Sequence, residues 1–149
     1  MAVPLDEYPV HQVPLSMRYV ATSDRNAYDR CIFQGHDRTG EVLLITGLGV
    51  YPNLGVIDAY ACVRRGDRQV VVRASDALSE DRMAQDVGPY RIEIVEPLRR
   101  VRLVCDGDDH GIGFDLTFEA AFPPLDEPQH VARMGDRVFL DGCRFAQAG

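Results

Sequence analysis

Three consecutive stretches of the chain alternate apolar and polar residues with a period of two. Tyr90, Ile92 and Ile94 alternate with Arg91 and Glu93; Val101, Leu103 and Cys105 alternate with Arg100 and Arg102; Ile112, Phe114, Leu116 and Phe118 alternate with Gly113, Asp115, Thr117 and Glu119. Successive strand side chains point to opposite faces, so this period marks half-buried β-strands. Glu96-Pro97 and the polar run 106–111 separate the stretches as turns. The pattern predicts antiparallel strands over 90–96, 98–105 and 112–120. One face is apolar, with Phe114 and Phe118 in the core. On the other, Arg100 and Arg102 face Glu93, Asp115 and Glu119 across the strands.

Upstream, the chain is organised around residues 41–73. A strand over 41–47, a structured loop over 47–55, a strand over 56–64, a turn at Arg65-Gly66-Asp67 and a strand over 68–73 are expected. Residues 30–34 form a short strand joined by a polar turn to 41–47. In 56–64, Ile57, Ala59, Ala61 and Val63 form an apolar face that reads as core, and Asp58, Tyr60, Cys62 and Arg64 lie on a mixed face. The two alanines leave room for large neighbours or for a cavity. Residues 1–23, with Pro4, Pro9 and Pro14, read as an extended arm laid across the body. Residues 23–26 suggest one helical turn, 74–87 a surface loop with a short helix, 121–130 a proline-rich loop and 137–145 a final strand. The sum is an all-β fold, an antiparallel lipocalin-like barrel or strongly curved sandwich of about eight strands.

The 149 residues fit one domain, 1–149. The net charge of −7, with no basic patch, argues against nucleic acid as a partner. All 16 basic residues are arginine. No apolar run is long enough for a membrane span, and the first residues lack the pattern of a secretory signal, which points to the cytoplasm. Cys31, Cys62, Cys105 and Cys143 are far apart in sequence, each inside an expected strand. Reduced, mostly buried thiols fit this spacing better than disulfides or a zinc site. The four histidines lack metal-ligand spacing, and the acidic run 106–110 lacks the further ligands of a calcium loop, so neither metal nor cofactor is expected. Gly47-Leu48-Gly49 opens no helix and is not a dinucleotide fingerprint.

Candidate chemistry gathers around the 47–55 segment. Tyr51 and Asn53 sit between its glycines, and Asp58 follows in the next strand. Asn53 either satisfies backbone groups or borders a ligand. Asp58 is either exposed, paired with Arg64 or Arg73, or placed in a pocket that raises its pKa. The segment is expected to close one end of a barrel, with Tyr51, Asn53 and Asp58 at its mouth.

Phe33-Gln34-Gly35-His36 followed by Gly40, with an apolar strand behind it, resembles the start of the hydroxyneurosporene synthase (carotenoid 1,2-hydratase) and AttH-like proteins. Residues 47–58 are similar to a loop in actinobacterial relatives of that group. The resemblance covers about residues 28–119. The family's acidic-aromatic run before the Gly-His is replaced here by Arg30-Cys31-Ile32, and Phe33 stands where the family has a tyrosine. The resemblance implies the N-terminal half of a longer two-barrel protein that carries or acts on an apolar small molecule, such as a terpenoid, polyketide, lipid or steroid-like compound. It implies Tyr51, Asn53, Tyr60 and His36 as ligand-binding residues. Hydrating an isolated alkene requires a carboxylic acid kept protonated by a dry pocket, and Asp58 is the catalytic candidate. Three readings result: a hydrophobic-ligand-binding barrel, a hydratase or isomerase, and a structural domain packed against a second barrel. A cavity behind Ala59 and Ala61 favours the first two. A solid core with an exposed apolar patch favours the third.

Overall fold

The computed structural model describes residues 1–11 and 14–149. The described residues are all-β, with twelve strands and three single-turn 3-10 helices. Strands β1 (Asp29–His36), β2 (Val42–Tyr51), β3 (Val56–Arg65) and β4 (Arg68–Ala77) form one antiparallel meander in the order β1-β2-β3-β4. Strands β5 (Asp86–Val87), β6 (Tyr90–Glu96), β7 (Arg100–Cys105) and β8 (Phe114–Glu119) form a second. Each has the short hairpin connections expected of neighbouring antiparallel strands. The remaining strands make two small ladders. One pairs β9 (Leu125–Asp126) with β12 (Phe145–Ala146), and the other pairs β10 (His130–Met134) with β11 (Arg137–Gly142).

The meander read from the alternation is present, paired from Tyr90↔Cys105 through Arg100↔Glu119. The 30–34/41–47 hairpin is present as β1–β2. The turn at 65–67 is a β3–β4 hairpin whose Gly66 takes φ +59°, a backbone region glycine enters without strain. The barrel expectation is corrected. Among the described residues no hydrogen-bonded ladder joins the two four-stranded sheets, so the barrel does not close. The sheets share one core instead. Leu48, Val50, Ile57, Ala59, Ala61 and Val72 from the first cluster with Val87, Tyr90, Ile92, Val101, Leu103 and Cys105 from the second. At one edge, Phe33 of β1 meets Phe118 of β8 edge-on, with ring centroids 5.9 Å apart. Ala59 and Ala61 share this core with the large side chains of Tyr90 and Met17.

The N-terminal segment crosses the body as an arm and contributes Val10 and Met17 to the core, although it begins with a 3-10 turn at Pro4–Glu7. Arg82 holds the arm in place. Its guanidinium donates to the carbonyls of Pro9 at 2.9 Å, Val10 at 2.5 Å and Leu15 at 2.8 Å.

Several sequence expectations are corrected. The strand expected to end at 47 continues as β2 to Tyr51, so 47–51 is not loop. A 3-10 turn at Pro52–Leu54 comes next, ended by Gly55 in the left-handed region. The loop-and-helix expected over 74–87 is strand to Ala77 and carries no helix, because β4 pairs with β3 along its whole length, to Ala77↔Val56. Residues 24–27 form a single hydrogen-bonded turn and no helix: the Ala27 amide donates to the Asp24 carbonyl at 3.1 Å, and the Asp24 carboxylate accepts from the Asn26 amide at 2.8 Å. Residues 98–99 and 112–113 fall outside their expected strands. Phe114 and Phe118 are only half-buried, because little of the body covers the β8 edge, and Leu116 is 45% exposed. Cys143 lies between β11 and β12 and is exposed. No described helix is long and apolar enough to cross a membrane.

Candidate functional site on the outer face of the first sheet

The register of β1–β4 divides their residues between two faces. Odd positions of β3 point into the core, and its even positions point outward. Cross-strand rows on the outer face follow directly. Arg30, Gly49, Asp58 and Ser75 form one row, Ile32, Gly47, Tyr60 and Arg73 the next, and Gln34, Ile45, Cys62 and Val71 the third. Tyr51 and Val56 flank these rows at one end, and His36, Leu43, Arg64 and Gln69 at the other.

Two glycines sit in the middle of this face, on the central strand. A glycine inside a strand marks a close approach by another group. Here the groups are aromatic. A Cβ at Gly47 would lie 3.3 Å from Cε1 of Tyr60, and one at Gly49 would lie 3.0 Å from the Tyr51 hydroxyl and 3.1 Å from Oδ1 of Asp58. The tyrosine side chains therefore lie down on the sheet over the glycines. Tyr51 meets Tyr28, with ring centroids 6.2 Å apart, and the Arg30 guanidinium stands 4.9 Å above the Tyr28 ring. That is a favourable cation–π distance. Burial, and then the neighbouring Asp58 charge, push the Tyr51 phenol above its ordinary value.

Four of the five residues singled out from the sequence thus share one face: His36, Tyr51, Asp58 and Tyr60. They stand on the outside of the sheet, not at the mouth of an interior cavity. Asp58 is half-buried beside the Tyr51 hydroxyl and points away from the core face carrying Ala59. His36 lies at the far end, where its Nδ1 donates to the Asp37 carbonyl at 2.7 Å. Asn53 is apart from them. Its amide donates to the carbonyls of Thr22 at 2.8 Å and Asp24 at 2.7 Å, so it ties down the segment leading into β1.

Sequence reading assigns no binding role to Tyr28, Arg30, Ile32, Val71 and Arg73, which complete the face. The signal for them is the outward set of the same alternation, together with Gly47 and Gly49 two residues apart inside an apolar strand. Ile32 is 48% and Val71 42% exposed, so apolar surface reaches both edge strands.

The outer face of the second sheet is of a different kind. Arg91 pairs with Glu93 at 3.0 Å and Asp106 at 2.8 Å, Arg102 with Glu93 at 3.0 Å and Asp115 at 2.6 Å, and Arg100 with Glu119 at 2.9 Å. These pairs hold the carboxyls of Glu93, Asp115 and Glu119 below their ordinary values, hydrogen bonds from the arginines being the chief cause. Elsewhere the surface has shallow hollows. A crevice of about 230 Å³ between the arm and β6 is lined by Tyr8, Met83, Gln85, Ile92, Glu93 and Ile94. A groove of about 280 Å³ runs past Leu98 and Phe122. Neither is lined by Ala59 or Ala61.

A family model matches residues 3–149, and the chain belongs to that family, described as a family of unknown function (DUF8625). No curated protein and no solved structure matches the chain.

Proposed function

We propose that this member of the DUF8625 family is an interaction module, and that it recognises the apolar surface of another protein domain through the outer face of β1–β4. The observation that carries this is the contrast between the two outer faces. The β6–β8 face is covered by a ladder of arginine–carboxylate pairs, which suits water. The β1–β4 face carries tyrosines laid over glycines, with Ile32, Ile45 and Val71 around them. Contiguous apolar surface rimmed by polar groups marks an interaction site. Tyrosine and arginine are also the residues that dominate binding energy at interfaces. Three rows across four strands span about 13 by 14 Å and form an open, flat surface, not the enclosed concavity of a small-molecule pocket.

The arrangement around Asp58 supports binding and not proton transfer. An acid strong enough to protonate an alkene needs a dry enclosure, whereas Asp58 stands on an open face beside a hydroxyl. Binding of an apolar small molecule, which the family resemblance implies, keeps support from the crevice beside Tyr8, whose Ile92, Ile94 and Met83 would hold a compact apolar group.

Site-specific photo-crosslinking in the native host tests the proposal. A crosslinker at position 32 or 71 should give a discrete adduct with another protein, and one at position 102 or 117 should give none. Equal yields from both faces, or no adduct from positions 32 and 71, would overturn it.

A further inference from the structure

We infer that the partner's surface is acidic at its rim, and that its carboxylates pair with Arg30, Arg64 and Arg73; this rests on the docking face proposed above. The chain has 23 acidic and 16 basic residues, so carboxylates are in excess. On the β6–β8 face every outward arginine named above has one. On the β1–β4 face, Arg30, Arg64 and Arg73 make no ion pair among the described residues, and Asp58, engaged with Tyr51, is the one carboxylate among the outward strand positions given above. The three arginines surround the apolar rows: Arg30 on β1, Arg64 near one end of β3 and Arg73 beside Tyr60 on β4.

An arginine at the edge of an apolar interface loses water when the partner docks. It then needs a carboxylate, which its planar fork can bind through two hydrogen bonds. Of the two outer faces, this is the one whose arginines are left without a carboxylate. Two copies packed face to face would bring six arginines against two Asp58 carboxylates, so self-association leaves most of the cations unpaired. An acidic, apolar surface of a different protein satisfies both the charges and the tyrosines.

Two dyes of similar shape separate this inference from the reading beneath it. N-phenyl-1-naphthylamine is uncharged and reports the apolar face, while 1-anilinonaphthalene-8-sulfonate adds an anionic group. At low salt both should bind the intact protein, the sulfonate about tenfold more tightly, which corresponds to about 1.4 kcal/mol. Arg64→Gln/Arg73→Gln should remove that difference and leave the uncharged dye unaffected. Arg133→Gln/Arg137→Gln should change neither. If the uncharged dye binds and the sulfonate gains nothing, or the gain survives Arg64→Gln/Arg73→Gln, the acidic rim is wrong and the apolar face stands. If the uncharged dye does not bind, the apolar face itself falls. Mass spectrometry of the peptide crosslinked to position 71 should return an Asp- or Glu-bearing segment of another protein. A peptide of this chain, or one without carboxylates, would overturn the inference.

Discussion

The Tyr60 ring lies against Gly47, so a methyl group at position 47 would stand 3.3 Å from Cε1 of Tyr60 and 2.5 Å from the carbonyl oxygen of Cys31. The first contact could be relieved by moving a side chain. The second cannot, because the oxygen belongs to the β1 backbone opposite. Gly47→Ala should therefore destabilise the protein by about 1–3 kcal/mol, the usual cost of overpacking. Urea melts would measure it. A loss under about 0.5 kcal/mol would mean that β1 can move away freely. Gly35 has open space at its Cβ position, and Gly35→Ala serves as the control that leaves stability nearly unchanged.

The arm depends on Arg82 in the same direct way. One guanidinium donates to the carbonyls of Pro9, Val10 and Leu15, and the segment it holds places Met17 in the core with no exposed surface. Hydrogen bonds from a charged donor contribute about 1.5–3 kcal/mol, and Arg82→Ala leaves three carbonyls without it. A loss of about 2–3 kcal/mol is expected on that basis, together with faster proteolysis within the first 20 residues. Arg82→Lys should restore little, since an ammonium lacks the fork that reaches three acceptors. Full rescue by lysine would show that charge alone holds the arm.

Stability should fall as the medium is acidified. Glu93, Asp115 and Glu119 have their carboxyls lowered by arginine partners, so each stabilises the fold above the ordinary carboxylate range. That contribution is lost as pH falls through the lowered folded values, below about pH 4. Glu7 acts in the opposite sense. Burial raises its carboxyl, against the Leu98 amide that hydrogen-bonds to it at 2.8 Å, so its charged form is unfavourable in the folded state at neutral pH. Urea midpoints measured from about pH 6 to pH 3 should decline, and Glu7→Gln should steepen the decline by removing the opposing contribution. A flat profile would mean that the ladder does not couple to folding.

Thiol reactivity should separate the cysteines. Cys143 is exposed, whereas burial pushes the Cys31 thiol up to about 12, so almost no thiolate is present there at neutral pH. An aromatic disulfide reagent should modify Cys143 quickly in the folded protein and Cys31 only on unfolding. Rapid modification of Cys31 would place it in contact with solvent.

The strands of the second sheet are legible in the sequence because their faces are so unlike: Tyr90 and Ile92 go in, while Arg91 and Glu93 go out to water. The same rule finds Ile57, Ala59 and Ala61 as core. It says less about the outer face of the first sheet: Asp58, Tyr60, Cys62 and Arg64 alternate with that core, but their mixed character marks neither a solvated face nor a binding one. Gly47 and Gly49 add to the difficulty. Glycine reads as loop punctuation, so the strand is expected to stop where the structure lays aromatic rings on it. The end of β4 is hidden for a related reason, since an edge strand can carry Ser75 and Asp76 with no cost to the core. Whether two sheets close into a barrel depends on the tilt and stagger of their strands, which local alternation does not encode.

Tyr90 carries a polar group into the core. It is 2% exposed, and its ring packs edge-on against Phe114, with centroids 6.5 Å apart. Its hydroxyl faces the Thr46 hydroxyl, which gives its own proton to the Tyr60 carbonyl at 2.7 Å, and the Tyr90 hydroxyl has no hydrogen-bond partner among the described residues. Burial accordingly pushes the Tyr90 phenol well above its ordinary value. An unsatisfied buried donor costs about 1–3 kcal/mol, and phenylalanine keeps the ring while removing that cost. Tyr90→Phe should therefore raise stability, by about 1 kcal/mol once the small void left by the oxygen is set against it. Tyr90→Ala should lower it by about 3–5 kcal/mol, because the ring itself fills the core between the two sheets. Both are read from urea midpoints. A loss of more than about 1 kcal/mol in Tyr90→Phe would mean that the hydroxyl makes a stabilising bond to Thr46, and that this bond ties β6 to β2 across the core.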